Sequence, residues 1–341
     1  MSRNSGVWPI QYMHYMPGES LRVELMRGAF KVCSECAGIK PGEKVVISTD
    51  TNKLRIAECL AGATLALGGI PTIVMIVPTG SHGAQLPTPA VAACADSDVY
   101  FLPATYSQTH TDARVKAQAN GARGCTMCEV TEDLLCTGAM LGDYVECDKR
   151  GRKLGAAMAK AKKWRFTTVE GTDLEGEITG RPVQYETGLF RNPGDFGAFP
   201  NSEVNIAPIE GTANGKMVVN VRIMNIGVVR DEPATLYVEN GNLVRAEGAA
   251  GLELMNLLKA FNDPTAFNIA EFGFGLNPVS RMYANNLEDL GKWGTGHVGL
   301  GSNYAIGGSI KAPCHVDVSF SDIKVFFDDK LVYEKDKIHL D

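Results

Sequence analysis

The chain has 341 residues, 45% of them apolar and 21% charged, and a formal net charge of −6 at pH 7. That length implies about two domains of roughly 150 residues, and the composition excludes a disordered chain, a fibrous repeat and a disulfide-stapled miniature. The negative balance argues against nucleic acid or an anionic membrane surface as the main partner.

The opening residues MSRNSGVWPIQYM show no basic region followed by a long apolar stretch, so no secretory signal is read there. The longest apolar run, Ile70 to Val77, contains Pro71 and is too short to cross a bilayer. These features imply a cytoplasmic protein with no membrane partner. ESLRVELMRGAFKVCSECAG carries apolar residues at helical spacing, and KPGEKVVIST reads as a turn and a buried strand. NKLRIAECLAGATLALGG is a second helix, followed by the strand IPTIVMIV. Further along come a helix near PAVAACADS, the strand DVYFL, a helix near THTDARVKAQANGARG and a strand at Cys125 to Val130. Helices over EDLLCTGAM and KLGAAMAKAKKW, then the strand RFTTVE, complete the alternation. Such a pattern predicts a mostly parallel sheet covered on both faces.

The nine cysteines include two C-x-x-C pairs, Cys33/Cys36 and Cys125/Cys128. Their apolar surroundings favour free core thiols over a zinc site. The basic run from Lys149 to Arg165, with Trp164 inside it, reads as a solvated helix face and not as an RNA surface. WGTGHVGLG has glycines at dinucleotide-motif spacing but does not open a helix after a first strand.

QYETGLFRNPGDFGAFP is rich in Gly, Pro and aromatics and lacks periodicity, which marks an interdomain crossing. The expected division is an α/β domain over 1–190 and an α+β, mainly antiparallel, metal-binding domain over 191–341. In the second domain, turns such as NGK and ENGNL separate short alternating strands, as in hairpins.

Four segments there place ionisable groups in apolar, glycine-rich strands. In HVDVSF, residues two apart face the same way, so His315 and Asp317 project together and Cys314 points elsewhere. In GTGHVGLGSNY, Gly299 and Gly301 clear the face that His297 occupies, with Tyr304 seven residues beyond it. IAEFGFGLNP repeats the device, with Gly273 and Gly275 following Glu271. PNSEVNIAP adds Glu203 between apolar neighbours. Carboxylates in such settings are costly unless paired or bound to a cation. This thiolate-free N/O set suits Zn, Mn, Co or Fe(II).

In order, FPNSEVNIAPIEGTANGKMVVN, NIAEFGFGLNP, GTGHVGLG and CHVDV resemble the M29 metallopeptidase family, the aminopeptidase T-like enzymes. The likeness extends more loosely through GIKPGEKVVISTD and NGARG. It implies a pair of divalent metals, with Glu203 as first glutamate ligand, Glu271 as bridging ligand, His297 as first histidine ligand, and His315 and Asp317 as the terminal ligands. Tyr304 matches the family's tyrosine beside the metals. The resemblance also implies a homodimer with the metals in an enclosed cavity. Two features depart from the family: LEDLGKWGTGH sets Glu288 and Asp289 further from His297 than the family's acidic run, and the interval from His297 to His315 is shorter.

The function expected from these residues is hydrolysis of a C–N amide bond in a short peptide, small amide or lactam. Metal-activated water would attack, Glu203 or Glu271 would move the proton, and Tyr304 would stabilise the oxyanion. The alternative is a ring-opening dioxygenase acting on a dihydroxypyridine-like substrate, since such enzymes resemble the same scaffold. His297, His315 and Asp317 would then hold a single non-haem Fe(II).

Overall fold

The computed structural model describes residues 18–109, 111–335 and 337–340, so the opening segment read above for a leader lies outside the described residues. The chain forms two compact units. One takes in Met1–Tyr144 with Gly188–Pro200, the other Val145–Thr187 with Asn201–Asp341.

The first unit is a doubly wound α/β fold. Its sheet contains β1 (Lys44–Asp50), β2 (Ile70–Ile76), β3 (Val99–Ala104), β4 (Arg123–Cys128) and the short strand Phe196–Ala198. The order is β2, β1, β3, β4, then Phe196–Ala198, and each neighbouring pair is parallel. β3 and β4 are buried along their whole length, as continuous strands inside a parallel sheet must be. The helix Leu54–Ala66 returns the chain from β1 to β2 and buries Ile56, Leu60 and Ala63. Cys33, Cys36, Cys59 and Cys125 are buried in the same apolar cluster, where burial pushes the Cys33 thiol up to about 12.

The second unit holds two antiparallel sheets. The site is built on a seven-stranded sheet whose centre is β5 (Glu203–Ile206), β6 (Ile269–Gly275), β7 (Thr295–Gly301) and β8 (His315–Ser321), paired in the order β8, β7, β6, β5. Val204, Phe272, Phe274, Val298, Val316, Val318 and Phe320 project from one face into the unit's core. Phe272 stacks on Trp164 at 4.5 Å, so the indole within the basic run is a core residue.

The units do not follow a single cut at residue 190. RFTTVE, expected in the parallel sheet, instead forms Lys163–Thr167, which pairs antiparallel with Asp173–Glu177 and Lys324–Phe327 in the eight-stranded sheet of the second unit. Phe196–Ala198 returns to pair parallel with β4. Long-range pairing partners, which no local pattern reveals, decide both placements. β2 also differs from expectation: it lies at a sheet edge, and Ile70, Ile73 and Met75 are exposed. Among the described residues, no helix is long and apolar enough to cross a membrane.

Candidate metal centre

The face of the seven-stranded sheet opposite the aromatic core carries the ionisable residues. Register places them against glycines: His297 faces Gly273, Glu271 and Asp317 both face Gly299, Glu203 faces Gly275, and His315 faces Gly301. The glycines at the centre make room for the side chains. A Cβ at Gly299 would lie 2.6 Å from His315 Nε2 and 3.0 Å from Glu271 Cβ, and one at Gly273 would overlap the His297 ring.

Glu271 stands between the two histidines. Its Oε1 lies 3.3 Å from His297 Nε2 and its Oε2 lies 3.1 Å from His315 Nε2. Asp317 Oδ1 is 3.2 Å from the same His315 nitrogen, and Glu203 Oε2 is 3.6 Å from His297 Nδ1. Five groups from four strands therefore meet at one place, as the parity of the segments predicts. Ligand atoms of Glu203, Glu271 and His297 alone lie within 4.8 Å of one another.

Electrostatics shows what this packing costs without a cation. Burial and the nearby Glu271 raise the pKa of Glu203, against the pull of His297. Burial also opposes charge on Glu271, but its bonds to His297 and His315 outweigh that and hold it well below the carboxylate range. Burial works against charge on His297 as well, yet Glu203 and Glu271 push it up to about 9. For His315, the carboxylates of Asp317 and Glu271 likewise overcome burial and keep the imidazolium form. The metal-free cluster thus stores protons on its imidazoles.

The donor set fits a divalent ion. Glu203 Oε2 and His297 Nδ1 are buried with no hydrogen-bond partner, as is Asn205 Oδ1 beside them. Such orphaned atoms are costly unless a further group satisfies them. His315 Nδ1 lies 2.8 Å from the carbonyl of Ser302, which accepts its proton and leaves Nε2 turned toward the carboxylates. A carbonyl on the far nitrogen is how metal-binding imidazoles are oriented. His297, Glu203, Glu271, His315 and Asp317 could hold the ion, and among the described residues no cysteine joins the group of ligand atoms around His297.

Tyr304 is 56% exposed, on a short turn, with Lys311 Nζ 4.1 Å from its ring centre. Its neighbour Asn303 is fully buried and anchors the turn by donating to Glu210 and accepting from Ile310 N. Glu288 and Asp289 are engaged elsewhere, buried in ion pairs with Arg281 at 2.9 Å and Arg222 at 2.7 Å. The sequence reading missed Asn205, which donates to Glu203 Oε1 at 2.9 Å. It shares Glu203's parity on β5, and that was the available signal.

The profile of the family described as NicX, 2,5-dihydroxypyridine 5,6-dioxygenase, matches residues 23–339. The 2,5-dihydroxypyridine 5,6-dioxygenase of Pseudomonas putida KT2440 is 29% identical over 201 residues, covering 55% of this chain and 57% of that protein. The chain thus matches a little over half the length of this curated relative. The solved structure of 2,5-dihydroxypyridine dioxygenase from Pseudomonas putida KT2440 superposes with a TM-score of 0.80 at 21% identity, covering 94% of this chain and 98% of that one. Wild-type AmpT from Thermus thermophilus superposes with a TM-score of 0.67 at 13% identity, over 94% of this chain and 100% of that one.

These findings correct the expectation of an aminopeptidase T-like metallohydrolase. The likeness to AmpT is one of fold, and a mixed histidine–carboxylate set on a shared scaffold does not by itself select a reaction. The matched profile spans nearly all of the chain, and it is a dioxygenase profile. The chain belongs to the NicX, or 2,5-dihydroxypyridine 5,6-dioxygenase, family.

Proposed function

We propose that the protein is an Fe(II)-dependent ring-opening dioxygenase acting on a dihydroxypyridine or a closely related hydroxylated N-heteroaromatic. The observation that carries this reading is the run of contacts that links His297, through Glu271, to His315 and Asp317 on one sheet face, in a chain of this family. Two imidazoles and one carboxylate form the donor set that binds non-haem Fe(II) while leaving positions open. The same N/O donors also accept Mn, Co or Zn, so iron is part of the proposal. Bound iron supplies the redox chemistry that lets dioxygen react with a closed-shell ring.

The chain's own residues do the rest. Glu271, hydrogen-bonded toward both imidazoles, positions His297 and His315. Ser302 O fixes the tautomer of His315. Glu203 Oε2, which has no hydrogen-bond partner, is the acceptor available to take a proton from a substrate hydroxyl. Asn205 holds the other oxygen of that carboxylate in place. The small-molecule substrate, the cytoplasmic setting and the homodimer expected from the sequence belong to the same proposal.

The test is oxygen uptake by protein loaded anaerobically with Fe(II) and supplied with 2,5-dihydroxypyridine. The reading expects one O2 consumed per ring lost, and no uptake by zinc-loaded protein. Fully iron-loaded protein that consumes no oxygen with this compound or its hydroxylated analogues would overturn it.

A further inference from the structure

The loop between β7 and β8 begins and ends beside a ligand of the metal centre. Ser302 N–H donates to Cys314 O at 2.9 Å, and Ser302 O accepts from His315 Nδ1 at 2.8 Å. In between, residues 303–310 close on the buried side chain of Asn303. Asn303 Oδ1 accepts from Ile310 N at 2.8 Å, Asn303 N donates to Ile310 O at 3.1 Å, and Asn303 O accepts from Gly308 N at 2.9 Å. A Cβ at Gly308 would lie 2.0 Å from Asn303 Cγ, so the loop packs directly on that amide. Where Asn303 sits therefore decides where the carbonyl of the preceding residue, Ser302, points.

A remote carboxylate fixes Asn303. Glu210 Oε1 accepts from Asn303 Nδ2 at 2.9 Å and from Ser309 N at 2.8 Å, and its Oε2 is paired with Arg181. Arg181 Nη1 in turn donates to Gly307 O at 2.7 Å, so the ion pair grips Asn303, Gly307 and Ser309 together. Sheet topology brings the pair there. β5 and β7 both run antiparallel to β6, so they leave the sheet at the same edge, and Glu210 lies shortly beyond β5. The strand Val183–Glu186 is antiparallel to β5, so Arg181, just ahead of it, enters at that edge too. The two side chains are only 14% and 21% exposed. Burial opposes charge on Glu210, yet the bonds from Ser309 and Asn303 hold its pKa down to about 2. An ion pair withdrawn from water gains little net stability. What this one supplies is a fixed geometry for the loop.

We infer that Glu210 is a positioning residue for His315: through Asn303 and the Ser302 carbonyl it holds the imidazole with Nε2 turned toward the ion. The inference rests on reading the cluster as a metal centre, and it holds for any divalent ion bound there. The partner of a ligating imidazole's second nitrogen sets ring orientation and tunes affinity. Here that partner is a backbone carbonyl, so its placement passes to the residues that anchor the loop.

Zn(II) affinity, measured by competition with a chromophoric chelator, tests this without any oxygen chemistry. Glu210→Ala should weaken Zn(II) binding about tenfold or more. Asn303→Asp, nearly isosteric, sets a second carboxylate against Glu210 and should reproduce the loss. Adding Glu210→Ala to His315→Ala should weaken binding no further than His315→Ala alone, because both changes then act through one group. In nitrogen-edited NMR spectra of the metal-free parent, the His315 Nδ1–H proton should be protected from exchange, and Glu210→Ala should remove that protection. A parent that takes up no Zn(II) would overturn the metal centre itself. A parent that binds Zn(II), with Glu210→Ala and Asn303→Asp matching its affinity, would overturn the role of Glu210 alone. So would a Glu210→Ala loss that is undiminished in the His315→Ala background.

Discussion

His297 and Gly273 face one another across the β6–β7 ladder, and the histidine ring occupies the space that a side chain at Gly273 would fill. Gly299 serves His315 and Glu271 in the same way. The site is thus a recess cut into a sheet face by missing side chains, and its walls are the neighbouring strands. Several consequences can be measured.

Filling the recess should damage metal binding more than folding. Gly299→Ala would put a Cβ 2.6 Å from His315 Nε2, in a backbone conformation open to alanine. Disturbing ligand orientation typically costs about 10–100-fold in metal affinity. That loss is expected in iron titrations, with a melting temperature close to the parent's. Unchanged affinity would show that His315 is not held where the ion binds.

Metal binding should release protons. His297, pushed up to about 9, and His315, also raised, carry protons in the metal-free protein near neutral pH, whereas ligating imidazole must be neutral. Calorimetry in buffers of different ionisation enthalpy should report about two protons released per ion at pH 7.5, one from each imidazole. Apparent affinity should rise with pH until about 9. A proton count of zero would contradict the arrangement.

The metal-free fold should weaken with rising pH. An imidazole whose pKa is raised on folding contributes stability that is complete below its unfolded value of about 6.5 and is lost as pH passes the folded value. For His297 that window ends at about 9. Thermal melts of chelator-treated protein should therefore fall between pH 6.5 and 9.5, and iron-loaded protein should not follow the same curve. A metal-free melting temperature that rises across this range would refute the assignment.

Adjacent residues on β6 should separate stability from function. Phe272 is fully buried and stacks on Trp164, and removing such a ring typically costs about 3–5 kcal/mol. Phe272→Ala should show that loss in urea unfolding. Glu271→Gln, one residue away on the opposite face, removes the carboxylate shared by two buried imidazoles and so also costs stability in the metal-free protein. It should, however, lower iron occupancy in the protein that stays folded, which Phe272→Ala should not.

Much of this architecture was legible locally. The parity of HVDV, the glycines after Glu271 and His297, and the apolar setting of Glu203 are period-two features, and the cluster follows from them once the strands pair. What the pattern could not carry was the pairing itself. Lys163–Thr167 looked like one more strand of the alternating region, yet its partners are Asp173–Glu177 and Lys324–Phe327. Tyr304 matches the family's tyrosine only by its distance along the chain from His297. The turn that carries it is anchored by Asn303, buried and tied to Glu210 from a remote segment, which no local pattern reveals. The choice of reaction was equally hidden, because the same donors on the same scaffold serve hydrolysis and oxygen chemistry.

The most direct test of the dioxygenase reading is the origin of the oxygen in the product. Iron-loaded protein should be given 2,5-dihydroxypyridine under 18O2, and the ring-opened acid examined by mass spectrometry. The account predicts that both new oxygen atoms carry the label. A product that takes its oxygen from water, or that forms without dioxygen, would contradict it.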